Sequence, residues 1–173
     1  MYRRADREEL TILKRAFNKW GIFDLLKEKT LLIREVSHNT REVYLLSTAL
    51  EPIILTRQPS YAGLKVGELK KRFLPTMQAA DLIARFSKKF PYIVVNPTAE
   101  KLILYGRDVL GESILESTKM LNENQIVIIL NANREPIAIG KSKFSGKCLL
   151  QKGKITVITV VDAGYYLRSE GRE

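Results

Sequence analysis

Short runs of β-forming residues follow one another closely after position 96, and they limit what this part of the chain can fold into. The four runs are "KLILYG" (101–106), "IVIIL" (126–130), "PIAIG" (136–140) and "KITVITVV" (154–161). Short loops and one or two helical turns separate them, and glycine ends the first and the third. Several short strands at this spacing favour a small barrel. We therefore expect a small mixed β-barrel in the C-terminal part.

The part of the chain before "NPT" (96–98) mixes helix-like and strand-like segments instead. The segments are a helix at 6–21, a hairpin formed by 31–36 and 41–47, a second helix at 76–90 and a strand at 92–95. Asp6 followed by Glu9 is typical of a capping box at the start of the first helix. We expect an α/β N-terminal domain over 1–95 and the barrel domain over 97–173.

The charge of the chain indicates an anionic partner. The formal net charge is +10, and residues 1–96 carry 18 basic and ten acidic side chains. Such a balance favours nucleic acid, an acidic membrane or an acidic protein. No apolar run approaches the ~20 residues that cross a bilayer, so we expect no membrane partner. A single cysteine, Cys148, suits a reducing intracellular compartment.

Motifs for catalysis and for metal or cofactor binding are missing from the sequence. One histidine and one cysteine cannot form a zinc site of the usual spacings. The sequence also has no glycine-rich loop of the phosphate-binding or dinucleotide-binding type. We expect His38 to lie in a hairpin loop and Cys148 to be a small buried filler of the core. We expect no catalytic residue, no metal and no cofactor.

The stretch "GKSKFSGKCLLQKGK" (140–154) is the strongest candidate for a binding surface. It holds no acidic residue and five lysines: Lys141, Lys143, Lys147, Lys152 and Lys154. Lysine neutralises phosphate without demanding a particular base, and glycines within the stretch allow a bulky ligand to approach the backbone. From the residues alone, these lysines form either an RNA-binding surface or an ordinary solvated one.

Three motifs resemble those of a PUA domain, the RNA-binding barrel named after pseudouridine synthases and archaeosine transglycosylases. They are "LYGRDVLGESI", "VIILNANREPIAIG" and "VVDAGYYLR". In addition, "NPTAEKLILYGRDVL" and "DAGYYLR" are similar to the C-terminal half of the nuclear-import-protein-seven (Nip-seven) family of large-subunit ribosome-biogenesis factors. "EVYLLS" and "PYIVVNPTAE" fit the N-terminal domain of that family in the expected order. Divergence from eukaryotic members suggests an archaeal protein.

The resemblance implies a non-enzymatic assembly factor that binds precursor ribosomal RNA, uridine-rich single strands included. Its other implied partners are the pre-ribosomal large-subunit particle and further assembly factors. It favours RNA contacts by the five lysines and adds Arg107 and Arg168 to them. Arg107 is equally able to pair with Asp108 or Glu112, and Arg168 to form a surface ion pair. We expect a monomer in the cytoplasm, or in the nucleolus if the source is eukaryotic.

Two other functions stay open from the sequence. One is an accessory or small enzyme of RNA modification that carries a PUA domain, although 1–95 is short for a synthase or methyltransferase domain. The other is a protein-interaction adaptor whose charge serves solubility. The basic runs "KKR" (70–72) and "KK" (88–89) fit either a solvated surface or a face turned toward RNA.

Overall fold

The computed structural model describes residues 1–37, 40–165 and 168. It divides the chain into two compact units, with the boundary between Lys89 and Phe90. His38, predicted in a hairpin loop, lies outside the described residues. In the part that the structure describes, no helix has the length and apolar character needed to cross a membrane.

The N-terminal unit is an α/β domain, as predicted. Its elements are β1 (Tyr2–Arg4), α1 (Arg7–Lys19), a 3-10 helix (Phe23–Lys27), β2 (Lys29–Ser37), β3 (Thr40–Ser47), a 3-10 turn (Thr48–Leu50), α2 (Glu51–Arg57), β4 (Leu64–Leu69), β5 (Phe73–Pro75) and α3 (Met77–Phe86). The five strands form an antiparallel sheet in the order β1-β2-β3-β4-β5. The predicted hairpin is confirmed by the pairing of β2 with β3.

Helix α1 begins at the predicted capping box. The Asp6 side chain accepts a hydrogen bond from the Glu9 backbone N–H, and the Glu9 side chain accepts one from the Asp6 N–H. Leu13 and Phe17 are completely buried below this turn, and Trp20 is 3% exposed. These apolar side chains therefore belong to the core of the unit.

Glu9 also joins α1 to the sheet. Its carboxylate is 2% exposed and accepts hydrogen bonds from the guanidinium groups of Arg3 in β1 and Arg41 in β3. These contacts, the Arg3 hydrogen bonds above all, outweigh the effect of burial and lower the pKa of Glu9 to about 2. Two strands and one helix thus share one buried ion network.

The C-terminal unit is a small mixed β-barrel, as predicted. Its elements are β6 (Tyr92–Val95), α4 (Pro97–Leu104), β7 (Val109–Leu110), a 3-10 turn (Gly111–Ser113), β8 (Ile114–Ser117), β9 (Ile126–Leu130), β10 (Pro136–Ser142), a 3-10 helix (Gly146–Leu150) and β11 (Ile155–Asp162). The strands form a nearly closed sheet in the order β7-β11-β10-β9-β6-β8. The pairing of β6 with β9 is parallel. Ile93, Val127, Ile129 and Val157 are fully buried in its core.

The run "KLILYG" is not a strand, contrary to our prediction. Its first four residues complete helix α4, which the Asn96 side chain caps by accepting a hydrogen bond from the Ala99 N–H. Pro97 stands at the first helical position, where its missing N–H costs no bond. Ala99 and Ile103, one turn apart, are buried against the barrel. Helical spacing on the core therefore prevails over the β propensity of the run.

The unit boundary also differs from the predicted one at "NPT". We placed the strand at 92–95 in the N-terminal domain, but this strand is β6 and pairs with β8 and β9 of the barrel. Because a strand belongs to the sheet that satisfies its backbone hydrogen bonds, the C-terminal unit begins at Phe90.

The buried carboxylate of Glu9 gives a stability prediction. Its pKa of about 2 lies below the ordinary value of 4.5, so the folded state binds this proton more weakly than the unfolded state does. The resulting stabilisation, about 3 kcal/mol, is complete above about pH 5 and is lost as the pH falls toward 2. Glu9→Gln should lower the free energy of unfolding at pH 7 by about that amount and by much less at pH 3.

Urea denaturation at both pH values measures this difference. The matched control is Glu8→Gln, on the exposed side of the same helical turn, which should change stability by less than about 0.5 kcal/mol at either pH. Equal losses for the two variants, or a loss for Glu9→Gln that does not shrink in acid, would contradict the network.

Candidate nucleic-acid interface

The five lysines of the basic stretch lie on the connection between β10 and β11, which we call the lysine segment (141–154). Lys141 is near the end of β10, Lys147 is in the 3-10 helix, and Lys154 immediately precedes β11. All five side chains are exposed. Among the residues that the structure describes, none of the five forms an ion pair with a carboxylate. The structure thus brings together the cations that the sequence grouped.

Backbone and apolar contacts hold the lysine segment in place. The Lys143 N–H donates to the Thr156 carbonyl at 2.8 Å, and the Gly146 N–H donates to the Leu121 carbonyl at 3.1 Å. Leu149 is buried and Phe144 packs against the same barrel core. Cys148 is exposed, contrary to our prediction of a buried filler, because its neighbour Leu149 occupies the core position. The anchored backbone leaves the lysines in solvent.

One acidic side chain approaches the lysine segment from outside it. The Gly153 N–H donates to the Glu112 carboxylate at 2.9 Å, in a turn where Gly153 has φ +69°. That left-handed conformation is one that glycine adopts without steric penalty. The adjacent Gly111 N–H donates to the Lys154 carbonyl at 3.0 Å. Glu112 therefore fixes the turn between Lys152 and Lys154 while offsetting part of its charge.

Strand β11 leads from the lysine segment toward Arg107. Lys141 stands opposite Ile158 in the β10–β11 pairing, and both side chains are exposed. At the next position, the Thr159 hydroxyl donates to the Arg107 carbonyl at 2.9 Å. The lysine segment and Arg107 therefore both adjoin β11. We call the five lysines and Arg107 the basic track.

Arg107 pairs with neither of the carboxylates that the sequence offered. Asp108 accepts a hydrogen bond from the Thr159 N–H, and Glu112 accepts the one from Gly153. Arg107 is exposed, and within the described parts of the chain its guanidinium makes no ion pair. It is available to an outside anion.

Arg168 takes the ion-pair alternative. Its guanidinium binds both oxygens of the Asp162 carboxylate at 2.9 Å and also donates to the Leu104 carbonyl. The hydrogen bonds to Asp162 raise the pKa of Arg168. Because Asp162 ends β11 and Leu104 ends α4, Arg168 ties the helix to the strand.

A cavity of about 590 Å³ lies beside this ion pair. Its lining residues are Lys101, Leu104, Tyr105, Ala163, Gly164 and Arg168. Tyr105 is 74% exposed, so its ring offers a face on which a planar group can stack. No motif in the sequence singled out Tyr105 for this role. Two further tyrosines, Tyr165 and Tyr166, follow β11 in the sequence. Tyr165 is 60% exposed, and Tyr166 lies outside the described residues.

Two family models match the chain, one for each unit. A model described as the NIP7/UPF0113 pre-PUA domain matches residues 2–77. A model described as the UPF0113 PUA domain matches residues 91–171. The two matches follow the division that the structure makes between Lys89 and Phe90.

Similar proteins and solved structures cover nearly the whole chain. A UPF0113 protein of Archaeoglobus fulgidus is 33% identical over 98% of this chain and 95% of its own, and one of Aeropyrum pernix is 29% identical over 76% and 71%. A hypothetical protein of Pyrococcus horikoshii has a TM-score of 0.73 at 15% identity, covering 98% of this chain and 99% of its own.

A conserved PUA domain protein of Thermoplasma acidophilum has a TM-score of 0.68 at 13% identity, with the same coverage of the two chains. At such identities the two solved structures support the fold alone. The family models and the relative from Archaeoglobus fulgidus establish more. The chain belongs to the NIP7/UPF0113 family, with a pre-PUA domain followed by a PUA domain.

Proposed function

We propose that this protein is a non-enzymatic RNA-binding assembly factor that acts in precursor ribosomal RNA processing and large-subunit biogenesis. The observation that carries the proposal is the basic track: six exposed cations without carboxylate partners among the described residues, displayed on the lysine segment and at Arg107 of a PUA domain. Membership of the NIP7/UPF0113 family supports the ribosomal context. The protein acts by binding, and no residue of the track is assigned a catalytic step.

The track suits the sugar-phosphate backbone of single-stranded RNA. Lysine ammonium groups neutralise phosphates in any sequence, and the five lysines within 141–154 offer contacts to successive phosphates. The side chains of Ile155, Ile158 and Val160 in β11 are exposed as well and offer an apolar surface to the bases. At the far end of β11, the cavity beside Tyr105 receives one unstacked base. Uridine-rich strands, which stack weakly on themselves, fit this mode.

We assign different roles to the two arginines. Arg107 contacts a phosphate directly, because its guanidinium is exposed and unpaired within the described chain. Arg168 acts mainly through Asp162, by holding the end of α4 next to the cavity. Of the two arginines that the sequence offered as RNA contacts, Arg107 therefore binds RNA and Arg168 positions the residues around the cavity.

The partners and location follow from the same proposal. The protein binds precursor ribosomal RNA as a monomer within the pre-ribosomal large-subunit particle, next to other assembly factors. Because the relatives are archaeal, we expect this work to take place in the cytoplasm. Co-purification of large-subunit precursor RNA with the tagged protein is the cellular result that we expect.

Replacing all five lysines of the lysine segment by alanine tests the track. Each phosphate contact on a single strand contributes about 0.7 to the slope of log affinity against log salt. The variant should lose affinity for a uridine-rich RNA and about 2–4 units of that slope. Fluorescence anisotropy between 50 and 300 mM salt measures both quantities, and circular dichroism checks the fold.

A charge-matched control separates the track from the net charge. It replaces five scattered cations by alanine: Arg7, Lys14, Lys27, Arg57 and Lys119. This control should keep most of the affinity and slope. If both variants lose the same amount, RNA responds to the overall charge and not to the track, and the proposal is wrong.

The two arginines give a second test. Arg107→Ala should weaken RNA binding several-fold and leave the unfolding temperature unchanged, since its side chain makes no ion pair in the described structure. Arg168→Ala should lower the unfolding temperature, because the Asp162 side chain is 7% exposed and loses its counter-charge. Scanning calorimetry and anisotropy on both variants measure this; the reverse pattern would contradict the assigned roles.

A further inference from the structure

Basic segments that are far apart in the sequence meet at the C-terminal end of α1 in the N-terminal unit. The end of the helix carries Lys19. The three-residue turn between β4 and β5 is "KKR" (70–72), and the segment after α3 contains "KK" (88–89). These are the two basic runs for which the sequence left surface and RNA contact equally open.

Packing of apolar groups fixes the meeting point. The rings of Phe17 in α1 and Phe73 in β5 contact each other, with centroids 6.0 Å apart. Arg72 directly precedes Phe73, and its charge is close enough to Lys19 to act on it. On the other side, Gly21 lies so close to the segment after α3 that an added Cβ would stand 2.8 Å from the Lys89 carbonyl oxygen. We call Lys19, Lys71, Arg72 and Lys89 the α1-end cluster.

Three acidic side chains of the unit are engaged away from this cluster. Glu9 binds Arg3 and Arg41, Glu42 binds Arg34 and Lys65, and Glu51 binds Arg4. In the described chain, the four members of the α1-end cluster form no ion pair. No carboxylate of the described residues therefore neutralises the α1-end cluster through an ion pair.

Two charges of the α1-end cluster, those of Lys19 and Arg72, act on one another. Partial burial, and after it the positive charge of Arg72, lowers the pKa of Lys19. The dipole of α1 favours a cation in its last turn, which accounts for Lys19 but not for the cations of the other two segments. Like charges held together in this way repel, and a bound anion would remove the repulsion.

The β4–β5 turn presents its cations in a fixed arrangement. The Lys70 N–H donates to the Arg72 carbonyl at 3.2 Å and closes the turn. Lys70 itself lies 3.8 Å from Glu68, whereas Lys71 and Arg72 are exposed beyond it. Because the turn connects two paired strands, these cations lose little further freedom when they bind a ligand.

An exposed aromatic ring borders the same end of the helix. Phe86, the last residue of α3, is 62% exposed. It lines a cavity of about 320 Å³ together with Gly21, two residues beyond Lys19, and with two basic and two acidic residues: Lys27, Lys29, Asp24 and Glu28. Cations next to an exposed ring are the combination with which proteins hold single-stranded nucleic acid, since phosphates meet the charges and a base stacks on the ring.

We propose that the α1-end cluster is a second RNA-binding site, which takes the phosphate backbone of single-stranded RNA on the N-terminal unit. This inference goes beyond the track on the PUA domain and does not depend on it. One RNA chain long enough to reach both sites is then held by two units, and each site adds its own share of the salt dependence.

The test is the full chain with Lys19→Ala, Lys71→Ala and Arg72→Ala. With a long uridine-rich RNA, we expect the salt slope to fall by about 2 units and the affinity at 100 mM salt to fall at least about tenfold. The unfolding temperature should stay the same or rise, because mutual repulsion is removed. The control is Arg7→Ala, Lys14→Ala and Arg57→Ala, three scattered cations of the same unit, and it should retain the slope.

Two further measurements keep the outcome unambiguous. If the triple variant is unfolded, Lys71→Glu alone, at the exposed tip of the turn, should weaken binding several-fold. Unchanged slope and affinity in a folded variant would overturn the site, as would an equal loss in the control. The five-lysine variant is measured in parallel. If the five-lysine variant loses affinity and the triple variant does not, the proposed function stands and the second site is overturned. If only the triple variant loses affinity, the track is overturned and the second site stands.

Discussion

The parallel pairing of β6 with β9 is the contact on which the C-terminal unit depends. In the sheet order, β6 stands between β9 and β8. Its two edges therefore join the strands β7, β11, β10 and β9 on one side to β8 on the other. Ile93 in its centre is completely buried. Asn96 and Pro97 follow directly and begin α4, so this pairing also sets the position of the helix, of Tyr105 and of the cavity beside it.

Both proposed RNA sites are built by apolar residues that determine where charge is displayed. In the barrel, Phe144 and Leu149 pack the lysine segment against the core, and the five lysines of the segment are exposed to solvent. In the N-terminal unit, the contact of Phe17 with Phe73 brings Arg72 to Lys19. Burying these apolar groups stabilises the folded state, and this favourable free energy offsets the repulsion among the cations.

Local patterns were predictable from the sequence, and contacts between distant residues were not. The capping box of Asp6 and Glu9 and the hairpin of β2 and β3 depend on neighbours along the chain, and both are confirmed. The error at "KLILYG" came from weighing β propensity over the cap. Asn96 followed by Pro97 was the available signal for a helix. Because "NPT" (96–98) was instead interpreted as a linker between the domains, the predicted boundary fell after β6 and not before it.

The geometry of the candidate site was predictable only in part. Five lysines in one segment are visible in the sequence, but the Glu112 bond to Gly153 joins residues 41 positions apart. The Arg168 contact with Leu104 spans 64 positions. Whether a given cation is paired or available is decided by such contacts, so the sequence could group the lysines but not separate Arg107 from Arg168. The α1-end cluster, drawn from three segments, was equally out of reach.

The most direct test of the central claim is lysine footprinting of the whole protein. The free chain and its complex with a uridine-rich single strand are acetylated briefly, and mass spectrometry reads each lysine. We predict that RNA protects Lys141, Lys143, Lys147, Lys152 and Lys154, while Lys14 and Lys119 react as in the free protein. Protection that spares the lysine segment and falls elsewhere would contradict the assignment of the track as the RNA-binding surface of the PUA domain.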